Sequence, residues 1–361
     1  MLSIEEMENA CPTLNRRRNP FPWVPGKYRN LITSKTKEIL TVIVRLNWGF
    51  MRILIVGGTR FIGVYLTKLL VEQGHEVVLF NRGNRPVPVE GVGQIIGDRT
   101  DASQLKEKLS SINFDAIFDN NGRELTDTQP LVEIFQDRVK HFVYMSSAGV
   151  YLKSDQMPHV EGDAIDPKSR HLGKYETEAY LTQQGLPFTS IRPTYIYGPL
   201  NYNDLEAWFF DRIVRNRAIP IPGNGLHITQ LGHVKDLARA MSQVLDNSTA
   251  LKQIYNVSGD RFVTFDGLAR ACAVAAGKSP DEVKIVHYDP KKFDFGKRKA
   301  FPLRAQHFFA SVDKAKTELN WQPEYDLISG LKDSLEKDYL PSGRDKAEID
   351  FSVDEEILRS V

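Results

Sequence analysis

From residue 51 onward, apolar and polar positions alternate in blocks of two different periods. Ile53-Leu54-Ile55-Val56 is an unbroken apolar run, as expected of a parallel strand buried on both faces. Val64 to Gln73 has helical spacing instead. Apolar runs at Glu76–Phe80, Gln94–Ile96, Asp115–Phe118, His141–Met145 and Phe188–Ile191 predict five more strands. Helical patterns at Asp101–Ser110, Leu131–Asp137 and Lys174–Gln183 fall between them. Strands that alternate with helices pair in parallel through right-handed crossovers. The expected fold class is therefore α/β, a doubly wound parallel sheet. After about residue 200 the alternation lapses and prolines gather, as in Ile219-Pro220-Ile221-Pro222-Gly223-Asn224-Gly225. The expected organisation is a dinucleotide-binding-type core over 51–200, a smaller mixed lobe interleaved with the sheet edge over 201–345, and a tail over 346–361.

The first strand runs straight into Gly57-Gly58-Thr59-Arg60-Phe61-Ile62-Gly63. Strand, glycine turn and helix N-terminus in that order make a phosphate site. Backbone N–H groups and the helix dipole face the anion, and glycine permits close approach. The pattern is G-x-x-G-x-x-G with Arg60 in place of the middle glycine, which puts a bulky cation where backbone would come close. The second strand ends in Asn81-Arg82-Gly83. An acidic residue there would hold a ribose 2′-hydroxyl, whereas Arg82 suits a 2′-phosphate, so NADP is favoured over NAD. Ligands of such sheets bind at the carboxyl ends of the strands, where Gly57, Arg82, Asp98, Asn121 and Ser147 fall. The candidate cofactor residues are Gly57, Thr59, Arg60, Phe61, Ile62, Gly63, Asn81, Arg82, Asp98, Asn121 and Lys174.

Bulk properties narrow the class. A hydrophobic fraction of 41% and a charged fraction of 26% over 361 residues are ordinary for a globular protein. The longest apolar run near the start, Ile39–Val44, is far too short to span a bilayer, so no membrane partner is expected. Two cysteines, Cys11 and Cys272, imply no disulfide framework. The first 50 residues hold 8 of the 47 Lys/Arg and 4 of the 46 Asp/Glu, leaving the remainder at 39 against 42, a net of −3. Nucleic-acid binding would therefore need a local patch. Arg16-Arg17-Arg18-Asn19-Pro20-Phe21-Pro22 is a poor core segment, and Met51 stands directly before the first strand. Residues 1–50 are expected to be a disordered extension or to precede the true start.

Four motifs then carry a resemblance. Val56-Gly57-Gly58-Thr59, Ser146-Ser147-Ala148-Gly149-Val150-Tyr151, Arg192-Pro193-Thr194-Tyr195-Ile196-Tyr197-Gly198-Pro199 and His233-Val234-Lys235-Asp236 resemble, in order and spacing, the extended short-chain dehydrogenases/reductases. These are Rossmann-fold sugar-nucleotide epimerases and dehydratases. The resemblance implies a Ser, Tyr, Lys relay: Tyr exchanges a proton with the substrate hydroxyl, Lys lowers its pKa and holds the nicotinamide ribose, and Ser orients the substrate. Ser147 and Lys174 fit their slots as candidate catalytic residues, with Glu178 four residues on. The Tyr slot holds Arg170, and arginine does not give up its proton. Tyr175 lies off that helix face, and Tyr288-x-x-x-Lys292 is interrupted by Pro290. Ser147 and Lys174 therefore read as vestigial, and conventional oxidoreductase chemistry becomes the minority reading.

A narrower resemblance covers Met51 to near the end. Asp166-Pro167-Lys168-Ser169-Arg170-His171, Pro199-Leu200-Asn201-Tyr202-Asn203, Gln230-Leu231-Gly232-His233-Val234-Lys235-Asp236, Phe293-Asp294-Phe295-Gly296-Lys297 and Gln306-His307-Phe308-Phe309-Ala310-Ser311 are similar to the chloroplast stem-loop-binding proteins and their cyanobacterial relatives. That family implies binding of stem-loop RNA and endoribonuclease activity. It also implies association with transcripts, with ribosomes or the transcription machinery, and self-assembly into homo-oligomers. The location implied is the chloroplast stroma, or the cytoplasm of a cyanobacterium-like cell. The segment Lys291 to Arg304 interleaves six cations with three aromatics. Cations neutralise phosphates and exposed rings stack on unpaired bases, so Lys291, Lys292, Phe293, Phe295, Lys297, Arg298 and Lys299 are the candidate RNA contacts. The opposing reading is a solvated loop whose Phe residues plug the core. The eight histidines show no zinc spacing, so no metal ligand is assigned, for RNA cleavage or otherwise. His233 and Asp236 are expected to close a helix onto the nucleotide core.

Overall fold

The alternation of apolar runs and amphipathic helices builds one seven-stranded parallel sheet. In the computed structural model, which describes residues 49–361, the strands are β1 (Arg52–Val56), β2 (Glu76–Asn81), β3 (Gly93–Ile96), β4 (Ala116–Asp119), β5 (His141–Met145) and β6 (Phe188–Pro193). A seventh, Gln253–Val257, pairs with β6 and extends the edge beyond the six that the pattern predicts. The order across the sheet is Gln253–Val257, β6, β5, β4, β1, β2, β3. The chain therefore winds outward in both directions from a switch between β1 and β4, where β1 pairs in parallel with β2 and with β4. The expectation for residues 1–50 lies almost wholly outside the described residues.

Helices α1 (Ile62–Glu72), α2 (Ala102–Leu109), α3 (Leu125–Phe135) and α4 (Leu172–Gln183) supply the crossovers. The central strands are dry on both faces, while β3 at the edge is mostly exposed. Ile53, Ile55 and Leu79 pack with Leu66 and Leu70 of α1 and with Met241 and Trp321. On the other side Leu54, Val56 and Phe80 pack with Leu105 of α2, Leu131 of α3 and Leu181 of α4. This two-sided burial explains why β1 and β5 read as continuous apolar runs rather than alternating ones.

Helix α3 begins at Leu125, six residues before the expected start, and runs through Pro130. A proline inside a helix removes one hydrogen bond and ordinarily marks a boundary. A side-chain cap offsets it here: Asp127 Oδ2 accepts from the backbone N–H groups of Arg123 and Glu124.

Helix α4 is tied to β6 by buried charge. Glu178 accepts from Arg192 Nε at 3.0 Å, from Arg192 Nη2 at 2.5 Å and from Ser190 Oγ at 2.7 Å. A forked pair with its lone pairs satisfied holds one helix face in register. Lys174 sits one turn earlier on the same face. A second core, around Phe209, Phe210, Phe265 and Leu268, forms in the region after residue 200. The last sixteen residues include the helix Ser352–Leu358, whose buried Asp354 accepts from Arg212 Nη2 at 2.7 Å.

Candidate functional site

The turn between β1 and α1 divides two tasks among its three glycines. Gly57 has φ +96°, and a Cβ there would stand 2.9 Å from Asn121 Cγ. A side chain on Gly58 would meet Leu79 Cδ2 at 2.5 Å, and one on Gly63 would collide with the Gly57 carbonyl oxygen. Gly57 therefore permits the turn, while Gly58 and Gly63 permit the packing of strand on helix. Phe61, at φ 42°, leads into α1, and no side chain caps the helix. Its N-terminus keeps its partial positive charge for an anion. Arg60 lays its guanidinium 3.3 Å from the centroid of the Tyr202 ring, and Phe61 meets the same ring edge-on at 6.1 Å.

A cavity of about 670 Å³ opens from this turn across the carboxyl ends of β1, β2 and β4. Gly57, Thr59, Arg60, Phe61 and Ile62 line one side. Asn81, Arg82, Asp98 and Asn121 line the other. Gly63 lies behind the turn as a packing residue. Asn81 Oδ1 is engaged by Gly83 N at 2.8 Å and Gln94 Nε2 at 3.0 Å, which leaves Arg82 to meet a ligand at the strand end. The Asp98 carboxyl is held below its usual range by hydrogen bonds from the Thr100 backbone and side chain.

Arginines unmarked by any sequence motif complete the wall: Arg85, Arg99 and Arg123. Arg99 is a post rather than a ligand arm. It forks onto the buried Asp119 at 2.5 and 3.0 Å and reaches Asn121 Oδ1 at 2.6 Å. Burial alone would raise the Asp119 carboxyl, but the Arg99 charge prevails and holds it low. Arg60, Arg82, Arg85 and Arg123 have no carboxylate partner among the described residues. Only the folded chain brings these side chains together. Tyr202, the ring beneath Arg60, belongs to the Pro199–Asn203 string that the sequence does single out.

The relay slots lie beside this cavity. Lys174 Nζ donates to Gly122 O at 2.8 Å and to Met145 O at 2.5 Å. Burial pushes its ammonium down to about 8, against the pull of Asp119. Ser147 Oγ accepts from Gly149 N at 3.0 Å and opens the short turn Ala148–Val150. Arg170 is exposed, and its Nε donates to His171 Nε2 at 3.1 Å. Tyr151, Tyr175 and Tyr288 do not refill the slot. Tyr151 donates its hydroxyl to Asn256 Oδ1 at 2.7 Å, and burial pushes its pKa up to about 12. Tyr175 is exposed, and Tyr288 is buried in the strand Ile285–Tyr288.

The basic segment divides. Phe301 and Leu303 are buried with Trp208 and Phe265. Phe293 and Phe295 stack on each other at 5.3 Å with planes 9° apart, half-buried, and Phe293 meets Tyr288 edge-on. Lys291, Lys292, Lys297 and Lys299 are exposed, while Arg298 pairs with Glu356 at 2.9 Å. His233 and Asp236 are structural. His233 stacks on Tyr325 at 3.8 Å, and Asp236 accepts the backbone N–H groups of Glu324 and Tyr325.

The doubly wound sheet, the glycine turn under an uncapped helix and the Ser and Lys slots together define the extended short-chain dehydrogenase/reductase fold. The chain belongs to the NAD dependent epimerase/dehydratase family, whose model matches residues 53–258, and within it to the chloroplast stem-loop-binding proteins. It is 52% identical over 321 residues to chloroplast stem-loop binding protein of 41 kDa b of Arabidopsis thaliana, covering 85% of this chain and 84% of that one. A UDP-glucose 4-epimerase of Corynebacterium glutamicum is 25% identical over 79% of this chain and 94% of its own. Among solved structures, UDP-glucose 4-epimerase of Thermotoga maritima with UDP-glucose superposes with a TM-score of 0.69, at 22% identity, over 81% of this chain and all of that one. The Thermus thermophilus UDP-glucose 4-epimerase complex with NAD gives 0.65, at 21% identity, over 79% and 98%.

The residues present fit a nicotinamide dinucleotide. The cavity beside Gly57, the uncapped start of α1 and Arg60, which has no carboxylate partner among the described residues, suit its pyrophosphate. Such a group, when bound, supplies a hydride acceptor or donor. Among the described residues, no helix is long and apolar enough to cross a membrane.

Proposed function

We propose that this chain binds stem-loop RNA on a dehydrogenase scaffold that also takes up NADP. Arg170 carries the reading: the position that should exchange a proton holds an exposed cation, in a chain 52% identical to a protein named for stem-loop binding. A permanent cation cannot act as the acid/base, but it attracts phosphate. The exposed Lys291, Lys292, Lys297 and Lys299, with Arg298, offer phosphate contacts, and the Phe293–Phe295 pair offers a stacking edge. Arg82 favours NADP over NAD through the 2′-phosphate. RNA cleavage belongs to the same proposal, as do association with ribosomes or the transcription machinery and self-assembly. The Arabidopsis relative is named chloroplastic, which favours the stroma as the location.

The test is titration of labelled stem-loop RNA at rising salt, with calorimetry of NADP and NAD alongside. Saturable binding that weakens as salt rises, and tighter NADP than NAD, are the expected results. No binding at about 50 mM salt, where phosphate contacts are strongest, overturns the RNA reading. Equal or tighter NAD binding overturns the role of Arg82.

One observation favours a second reading, an NADP-dependent epimerase, dehydratase or reductase acting on a nucleotide sugar. Lys174 keeps its place between two carbonyls, one turn from the anchored Glu178. Turnover with a nucleotide sugar that disappears in Lys174→Ala would establish it over the first.

A further inference from the structure

A second group of cations lies beyond the dinucleotide cavity, around Gly149. A Cβ on Gly149 would stand 2.6 Å from His171 Cδ2, 3.0 Å from His171 Nε2 and 2.9 Å from Arg304 Nη2. The imidazole and the Arg304 guanidinium therefore converge over one glycine, two residues from Ser147. Arg170 joins from the other side through its 3.1 Å bond to His171 Nε2. The arrangement is supported from beneath. Ser169 Oγ donates to Gly149 O at 2.7 Å and accepts from His171 N at 3.0 Å. Arg304 donates its backbone N–H to Tyr195 Oη at 2.9 Å, and its guanidinium lies 4.9 Å from the Phe308 ring centroid.

Neither Arg170 nor Arg304 has a salt bridge among the described residues. The groups facing His171 are almost all cationic. Burial first, and then the charges of Arg170, Arg304, Lys174 and Arg123, lower its pKa to about 4. Arg304 is lowered by burial and by Arg170, with Tyr195 and Asp166 opposing. Positive charges gathered in a half-buried place repel one another unless an anion joins them.

We infer that Arg170, His171 and Arg304 form a clamp for a backbone phosphate of RNA, with the former proton-relay position as one of its jaws. This rests on the RNA-binding reading. The two guanidinium groups present planar donors to phosphodiester oxygens, and Gly149, which has no side chain, lets His171 and Arg304 pack close over its backbone. The clamp explains why an arginine is useful at a position where it ends proton exchange. A nucleotide-sugar pyrophosphate shares the same chemistry, so both ligands enter the test.

The experiment compares the wild type with Arg170→Gln/Arg304→Gln in stem-loop RNA binding across a salt series. Affinity is expected to fall about tenfold or more, and the slope of log K against log salt to shallow by about 0.7, the share of the one phosphate that is no longer neutralised. The unfolding midpoint should hold or rise, since like charges are removed. A wild type that binds no RNA overturns the RNA reading and the clamp together. A wild type that binds, with a double variant of equal affinity and slope, overturns the clamp alone. A second measurement needs no variant: the imidazole nitrogens of His171 are titrated by NMR in the wild type. Saturating RNA should raise its pKa above about 4 through the adjacent phosphate. No rise, or a rise with UDP-glucose but none with RNA, overturns the clamp.

Discussion

Lys174 is held where its own charge is unfavourable. Its ammonium keeps two carbonyl partners but loses water, and burial brings its pKa from 10.5 down to about 8. Between those two values the unfolded chain binds a proton at this residue that the folded chain has released. Stability contributed by this site therefore rises with pH from about 8 to 10.5, by about 3 kcal/mol if the whole shift is expressed. Urea unfolding of the wild type and Lys174→Met at pH 7, 9 and 10 measures it: the wild type should gain on the variant as pH rises. A constant difference would mean that the ammonium is better solvated than its surroundings indicate. Single residues were the most legible level of the site. Arg60, Arg82 and Arg170 stand in motif positions where another residue type is expected, so each departure shows in the sequence. Arg99 and Arg304 do not. The partner of one is twenty residues away, the other meets Gly149 across the fold, and no local pattern records either contact.

The turn between β1 and α1 shows how an element is specified by sterics as well as by apolar spacing. Gly63 is the helix residue that faces the turn, and any Cβ there runs into the Gly57 carbonyl oxygen, a backbone atom that cannot rotate away. Gly63→Ala should cost about 3 kcal/mol, the upper end of the usual overpacking range, and weaken dinucleotide binding as the turn is pushed from its place. Chemical unfolding and NADP titration check both; a variant with unchanged stability would show that α1 can shift at little cost. The strands were legible because burial on both sheet faces leaves unbroken apolar runs. Helix α3 was legible only in its second half. Pro130 masks a start that depends on the Glu124–Asp127 cap, a pairing of side chain with backbone rather than a periodicity. The edge strand Gln253–Val257 lies in the irregular region, where its mixture of polar and apolar residues reads as neither period.

Over the whole molecule, the chain from residue 51 has a net charge of −3, yet Arg60, Arg82, Arg85 and Arg123, without a carboxylate partner among the described residues, gather at the carboxyl edge of the sheet. A net negative region gains nothing from general attraction to RNA, so its binding depends on where its cations stand. Two places are available: the edge that runs from Arg60 and Arg82 to the Arg170–Arg304 pair, and the exposed loop from Lys291 to Lys299. The loop is weaker than its composition implies. Arg298 already pairs with Glu356, and of its three aromatics Phe301 is committed to the core. Lys297→Gln/Arg298→Gln/Lys299→Gln should therefore shallow the salt slope by about 1.4, the share of two cations at about 0.7 each, rather than the share of three. Phe293→Ala separates the two roles of the aromatic pair. If the ring stacks on a base, affinity for unpaired RNA falls while the unfolding midpoint holds. If it serves only to cover Tyr288, stability falls first and affinity follows through unfolding. Losses from the loop and from the edge should add when the variants are combined, because their charges contact different phosphates. An unchanged slope in the triple variant would assign the whole electrostatic footprint to the sheet edge, where the Arg60 and Arg82 cavity and the Arg170–Arg304 pair lie.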